Sequence, residues 1–199
     1  MLVAHHDVGE RADGEASVSD FWVLALENLR GYVERGQVTA SPEFARSRGD
    51  VQLQVEAGAP AERVFAALTE PVELDRWIGE GASVDLELGG RYDFGWDHGP
   101  IKILDLVPGR RLAYSWTYPD EAGRVLADET VVRWTLEESG GRTRIVLVHS
   151  GFAPDAQTDD YRLGWLAFLA LLKNLVESGS EWRAATSEAR VADGASNRP

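Results

Sequence analysis

Residues 164–179 read Gly-Trp-Leu-Ala-Phe-Leu-Ala-Leu-Leu-Lys-Asn-Leu-Val-Glu-Ser-Gly, a helix-forming run that is apolar almost all round. A surface helix needs only one apolar stripe, so this one has to be covered on more than one side. Laying it in the concave face of a sheet meets that demand, and a long series of strand-like segments precedes it. The run also has an echo near the N-terminus. Residues 22–36 repeat residues 165–179 in register: Trp22/Trp165, Leu26/Leu169, Leu29/Leu172, Val33/Val176 and Glu34/Glu177 coincide, with Arg30 opposite Lys173. The echo is amphipathic. Trp22, Ala25, Leu26, Leu29, Tyr32 and Val33 share one face, and Glu27, Asn28, Arg30, Glu34 and Arg35 fill the other. Such a helix is expected to cover a surface.

Between these two helices the hydrophobic period changes. Val51, Leu53 and Val55 alternate with polar residues as in a half-buried strand. Pro60 opens a short helix over 61–69 that presents Val64, Phe65 and Leu68, and Pro71 opens a second that ends near Trp77. Strands are then predicted over 82–88, 91–96, 100–106, 111–118, 128–137 and 143–150. Turn-like residues separate them: Gly89-Gly90, Asp97-His98-Gly99, Pro108-Gly109, Asp120 to Gly123, and Ser139-Gly140-Gly141. Hairpin-length connections mean an antiparallel meander. Asp159 and Asp160 favour the positive N-terminal end of the long helix. The expected class is α+β: a curved antiparallel sheet of about seven strands wrapped around the long C-terminal helix, with two short helices after the first strand and an extra N-terminal helix. The expected layout is a mobile arm over 1–17, the amphipathic helix over 18–36, a linker over 37–49, the main domain over 50–179 and a tail over 180–199.

Composition excludes several roles. The net charge is −13, and positions 50–179 hold 22 acids against 12 bases. Nucleic acid and anionic membrane surfaces both require clustered Lys and Arg, so neither is an expected partner. No apolar run approaches the roughly 20 residues that span a bilayer. The first residues lack the basic and hydrophobic regions of a secretory signal, which makes a cytoplasmic location the expectation. The chain has no cysteine, hence no disulfide, thiolate nucleophile or Cys-based zinc site. Arginine outnumbers lysine 18 to 2, a usage associated with GC-rich bacterial genomes.

The ordered set Pro60, Val64-Phe65, Leu68 to Pro71, Leu74, Trp77, Gly89-Gly90 with Tyr92 and Phe94, Ile103 to Leu112, Tyr114-Ser115-Trp116, Val131 to Leu136, Thr143 to Val148, His149 to Phe152, and Gly164-Trp165 with Leu169, Leu172 and Gly179 covers positions 50–179. It resembles the family of bacterial proteins related to the C-terminal domain of the activator of Hsp90 ATPase, within the START-like, Bet v 1-like superfamily. The resemblance implies a helix-grip fold enclosing an apolar cavity, and it implies no particular reaction. The eukaryotic activator carries a further N-terminal domain that helps it engage Hsp90, and nothing in this sequence looks like that domain.

Among groups that could carry chemistry, His5 and His6 fall in the arm and His98 in a turn. His149 shares strand parity with Ile145 and Leu147 and is expected to face the interior, while Ser150 points the other way and forms no dyad with it. The reading favours a hydrogen-bonded core histidine. No His-x-x-x-His pair exists, and residues 155–160 lack the spacing of a calcium loop, so neither metal nor cofactor is expected. No catalytic residue is assigned. The remaining signal is aromatic. Tyr92, Phe94 and Trp96 share one strand face, Leu112, Tyr114 and Trp116 another, and Trp134 has matching parity between Val132 and Leu136. With Trp77, His149, Trp165, Phe168 and Leu172 they are the candidate lining of a small-molecule site, since polar tips converging in an apolar pocket are its usual pattern. Plain core packing explains the same spacing.

Three functions stay open on the sequence: a binding protein for a hydrophobic or aromatic small molecule; an interaction module, either chaperone cofactor or homodimer through the N-terminal helix; and an enzyme such as the cyclases and aromatases of the same superfamily. The N-terminal helix itself either packs on its own domain, pairs with a second copy, or is the remnant of a tandem domain.

Overall fold

The structure, a computed structural model, describes residues 18–41, 47–96, 99–117, 130–179 and 181–184. Its elements in chain order are α1 (Val18–Arg35), β1 (Val51–Ala57), α2 (Ala61–Thr69), α3 (Pro71–Leu74), β2 (Ser83–Val84), β3 (Tyr92–Asp93), β4 (Gly99–Val107), β5 (Arg111–Thr117), β6 (Thr130–Ser139), β7 (Arg142–Ser150) and α4 (Asp159–Glu177). Five strands form one antiparallel sheet in the order β1-β7-β6-β5-β4, and α4 lies across it as the grip helix. The expected arm over 1–17, His5, His6, His98, the turn at 120–123 and most of the tail lie outside the described residues.

Local chemistry explains the pairing. Along β1, Val51, Leu53, Val55 and Ala57 are buried and the residues between them exposed, the strict alternation of a sheet with one wet face. Gly140 and Gly141 both sit at positive φ, 60° and 75°, between the paired residues Ser139 and Arg142. Two left-handed residues make the two-residue hairpin turn whose twist matches its strands, which only glycine adopts freely. Register shifts at Pro100/Ile103 and Ile103/Asp105 break the β4–β5 ladder and help curve the sheet.

Two predicted strands are cut short. The segments 82–88 and 91–96 contribute only β2 and β3, a separate two-stranded ribbon set beside β4 by the Arg91–Lys102 bridge and by hydrogen bonds between Ile103 and Gly89-Gly90. Leu86 and Leu88 have no layer to face and stay exposed. Gly95 (φ 83°) then turns the chain, because a Cβ there would lie 2.2 Å from the carbonyl oxygen of Glu80. Trp96 is thereby swung toward the grip helix.

The grip helix is longer than its apolar run and buried from Leu163 through Val176 apart from Gly164 and Phe168. The sheet and α2 cover part of it, and α1 covers the rest. The face α1 uses is the opposite of the one its sequence suggests. Leu24, Glu27 and Gly31 are buried against α4, while Trp22, Leu26, Leu29, Tyr32 and Val33 are exposed. The reason lies in α4, whose last turns carry Lys173, Asn174 and Glu177 in buried or nearly buried positions that demand polar partners. Asn174 Nδ2 donates to the Glu27 carbonyl oxygen (3.1 Å) and to its carboxylate (2.6 Å). Arg35 donates to Asn174 Oδ1 and pairs with Glu177 at 3.4 Å. Lys173 Nζ donates to the Glu56 carbonyl (2.5 Å) and to Glu177 (2.7 Å). The α1–α4 seam is polar by necessity.

Residues 181–184, within the stretch expected as a tail, pack on the domain. Trp182 and Ala184 are buried. The Arg76 guanidinium, anchored on Glu73 (2.7 Å), donates to the Trp182 carbonyl at 3.0 Å, and Ala184 N–H donates to the Arg76 carbonyl at 3.0 Å.

Candidate functional site

The candidate side chains meet in one continuous aromatic body between sheet and grip helix. From β3 and the turn after it come Tyr92, Phe94 and Trp96; from β5, Tyr114 and Trp116; from β6, Trp134; from β7, His149; from α4, Trp165 and Phe168. Ring centroids lie 4.4 Å apart for Tyr92–Tyr114, 5.2 Å for Phe94–Trp96, 5.3 Å for Trp116–Trp165 and 5.8 Å for Trp134–Trp165. Trp77 joins through Phe168 at 6.5 Å, and Leu172 is fully buried one turn further along α4.

Most polar tips in this body are already paired. Tyr92 Oη donates to the Leu68 carbonyl (2.5 Å), Trp77 Nε1 to the Ala67 carbonyl (3.0 Å) and Trp134 Nε1 to Tyr114 Oη (3.0 Å). The pairing at His149 fixes its tautomer. An indole N–H can only donate, so Trp165 Nε1 at 3.0 Å makes His149 Nδ1 the acceptor. The ring proton therefore sits on Nε2 and is donated to Thr130 Oγ1 at 2.7 Å, whose own hydroxyl donates to the Trp116 carbonyl at 3.2 Å. Burial pushes the His149 pKa down to about 3. Burial also raises the Tyr92 and Tyr114 hydroxyls above their ordinary range. None of these three groups exchanges a proton readily near neutral pH, and their hydrogen bonds hold the body together.

One tip differs. Trp116 Nε1 is buried and has no hydrogen-bond partner among the described residues. Its ring is surrounded by Phe94, Trp96, Trp165 and His149 at 5.3–6.3 Å. The aromatic body also continues outward. His149 packs on Phe152 (4.6 Å) and Tyr161 (4.9 Å), and Trp96 packs on Phe168 (5.7 Å). Trp96, Phe152, Tyr161 and Phe168 are all only partly buried, so this end of the interior approaches the surface. Thr130, Phe152 and Tyr161 are absent from the sequence-derived lining. The spacing of Tyr161 one turn before Trp165 was the available signal for one of them. Among the described residues no group of three or more His, Asp or Glu is placed to hold a metal ion.

The family model described as Activator of Hsp90 ATPase homolog 1-like protein matches residues 58–177, more than half of the chain. The chain belongs to that family. Its similarity to solved structures spans the same domain. Protein CV1439 from Chromobacterium violaceum is 27% identical over 66% of this chain and 99% of its own, with a TM-score of 0.54. DynU16, from the dynemicin biosynthetic locus, is 25% identical over 69% of this chain and 52% of its own, with a TM-score of 0.52. The Aha1 dimer from Colwellia psychrerythraea shares the fold at 21% identity, over 66% of this chain and 98% of its own, with a TM-score of 0.52. A search of curated proteins finds no match. This member of the family, START-like and Bet v 1-like in fold, holds its aromatic body where the fold grips its long helix. Among the described residues no helix is long and apolar enough to cross a membrane.

Proposed function

We propose that this protein binds a hydrophobic small molecule with a planar ring system and a hydrogen-bond acceptor. The binding place is the outward end of the aromatic body, between Trp96, Trp116, Phe152, Tyr161 and Phe168. The observation that carries the reading is Trp116 Nε1. An unpartnered buried donor costs on the order of 1–3 kcal/mol, a penalty that a ligand acceptor removes. Tyr92, Trp77, Trp134, Trp165 and His149 have partners within the protein, so the interior wall is preformed while the Trp116 donor awaits one. The membership of DynU16 in a biosynthetic locus is in keeping with a small-molecule role.

The test is thermal melting against a panel of planar apolar compounds, half of them bearing a carbonyl. A ligand at 100 times its Kd adds about 2.7 kcal/mol, which for a chain of this size raises Tm by roughly 5–10 °C. Carbonyl-bearing compounds are expected to shift Tm and their acceptor-free analogues to shift it less. No shift with any compound contradicts the proposal.

The family match favours a second role, as a cofactor of an Hsp90-type chaperone. Mixing the protein with a bacterial Hsp90 and measuring ATP turnover tests it, with stimulation at stoichiometric amounts as the expected result and an unchanged rate as the contrary one.

A further inference from the structure

The outward face of α1 is the largest unexplained feature of the molecule. Val18, Trp22, Leu26, Leu29, Tyr32 and Val33 are 38–75% exposed. With large apolar side chains taken at roughly 150–250 Å² each, they leave on the order of 600 Å² of apolar surface on one helix. Monomers rarely expose a contiguous patch of that size without a use for it. The arrangement is ordered. Trp22, Leu26, Leu29 and Val33 follow the 4-3-4 spacing of a coiled-coil seam, and Leu24 and Gly31, which face α4, fall at the position of the same heptad furthest from that seam. The helix is held by its polar side and offers its seam.

We propose that α1 pairs with α1 of a second copy of this chain, antiparallel, about a two-fold axis between Leu26 and Leu29. Area is the first argument: two such faces bury about 1,200 Å² together, the lower bound of a specific interface. Size complementarity sets the direction. In the antiparallel register Trp22 lies against the second copy's Val33 and Tyr32 against Ala25, large against small, with Leu26 against Leu29 at the centre. A parallel pair would set Trp22 against Trp22 and Val33 against Val33. Charge permits the pairing, because Arg30 flanks the seam beside the second copy's Val23 and no like charges meet. An anionic lipid surface is a poor alternative for a chain of net charge −13. The segments 1–17 and 185–199 offer few large apolar residues to cover the face, chiefly Met1, Leu2, Val3, Val8 and Val191.

Sedimentation of the full chain between about 1 and 100 μM tests the pairing. The expected species has twice the 21.9 kDa chain mass. The double variant Leu26→Glu/Leu29→Glu is expected to weaken self-association by at least about 100-fold, since carboxylates would be buried at the seam. It should melt no lower than the wild-type monomer, because both positions are exposed within one chain. The native chain has no cysteine, which makes the direction readable. When Trp22→Cys and Val33→Cys chains are mixed and oxidised, the mixed disulfide should dominate. A wild-type monomer across the whole range overturns the proposal, whatever else covers the face. So does a dimer that the double glutamate variant leaves intact. Homodisulfides of Trp22→Cys forming as fast as the mixed product overturn the antiparallel arrangement.

Discussion

His149 shows how a residue with catalytic potential is committed to structure. Its two ring nitrogens are both occupied, one accepting from Trp165 and the other donating to Thr130, and charging it would break the first of these bonds. Because its folded pKa lies near 3, below the ordinary 6.5, the stability it contributes is complete above pH 6.5 and is lost as pH falls through the window between those values. The loss runs at about 1.4 kcal/mol per pH unit. Against a His149→Gln variant, which cannot titrate, the wild type should therefore lose roughly 2 kcal/mol of relative stability between pH 6 and pH 4.5. Urea melts at the two pH values measure it, and equal slopes for the two proteins would mean that the ring is already charged or open to water. The interior orientation of His149 was legible from strand parity. Its partners were not, because Thr130 is contributed by a neighbouring strand and Trp165 by the helix laid across the sheet.

At the scale of elements, the polar seam between α1 and α4 is the part that pattern reading misjudged. The amphipathic pattern of α1 gave the helix, its limits and its apolar face, but the apolar face was expected to do the covering. What decides the docking is the pair Asn174 and Glu177 on α4, polar groups in a run otherwise apolar, whose need for the partners Glu27 and Arg35 outweighs the burial of a leucine stripe. Glu27 bears the cost. Desolvation raises its pKa, opposed by the hydrogen bond from Asn174 and the nearby Arg30 and Arg35. A raised carboxyl pKa means that the folded state favours the protonated form. Its stabilising share is present below the ordinary value of 4.5 and is lost as pH rises through the folded value. Glu27→Gln keeps an acceptor for Asn174 and removes the charge, so it is expected to raise Tm at pH 7 by a few degrees and to leave a flatter acid profile. A lower Tm would show that attraction to Arg30 and Arg35 exceeds the desolvation penalty. The β2–β3 ribbon was overpredicted for a different reason. Alternating residues such as Leu86 and Leu88 satisfy a strand pattern without telling whether any layer lies beneath them.

For the whole molecule, the succession of strand, short helices, meander and long apolar helix was enough to specify the helix-grip architecture, because few arrangements cover a helix that is apolar on nearly every side. The same composition that revealed the aromatic body hid its internal bookkeeping. Pattern places Tyr114, Trp134 and Trp165 inside, yet only the structure shows that Trp134 donates to Tyr114, that Trp165 donates to His149 and that Trp116 has no partner among the described residues. That difference locates the proposed binding place at the Trp96–Phe168 end instead of the centre. The most direct measurement is a comparison of ligand affinity between the wild type and Trp116→Phe, followed by intrinsic tryptophan fluorescence, for a planar carbonyl compound and its acceptor-free analogue. Loss of one hydrogen bond, about 0.5–1.5 kcal/mol, should weaken the carbonyl compound by roughly 2- to 10-fold in the variant and leave its analogue unchanged. Equal affinities of the two proteins for both compounds, or binding by neither, would contradict the account.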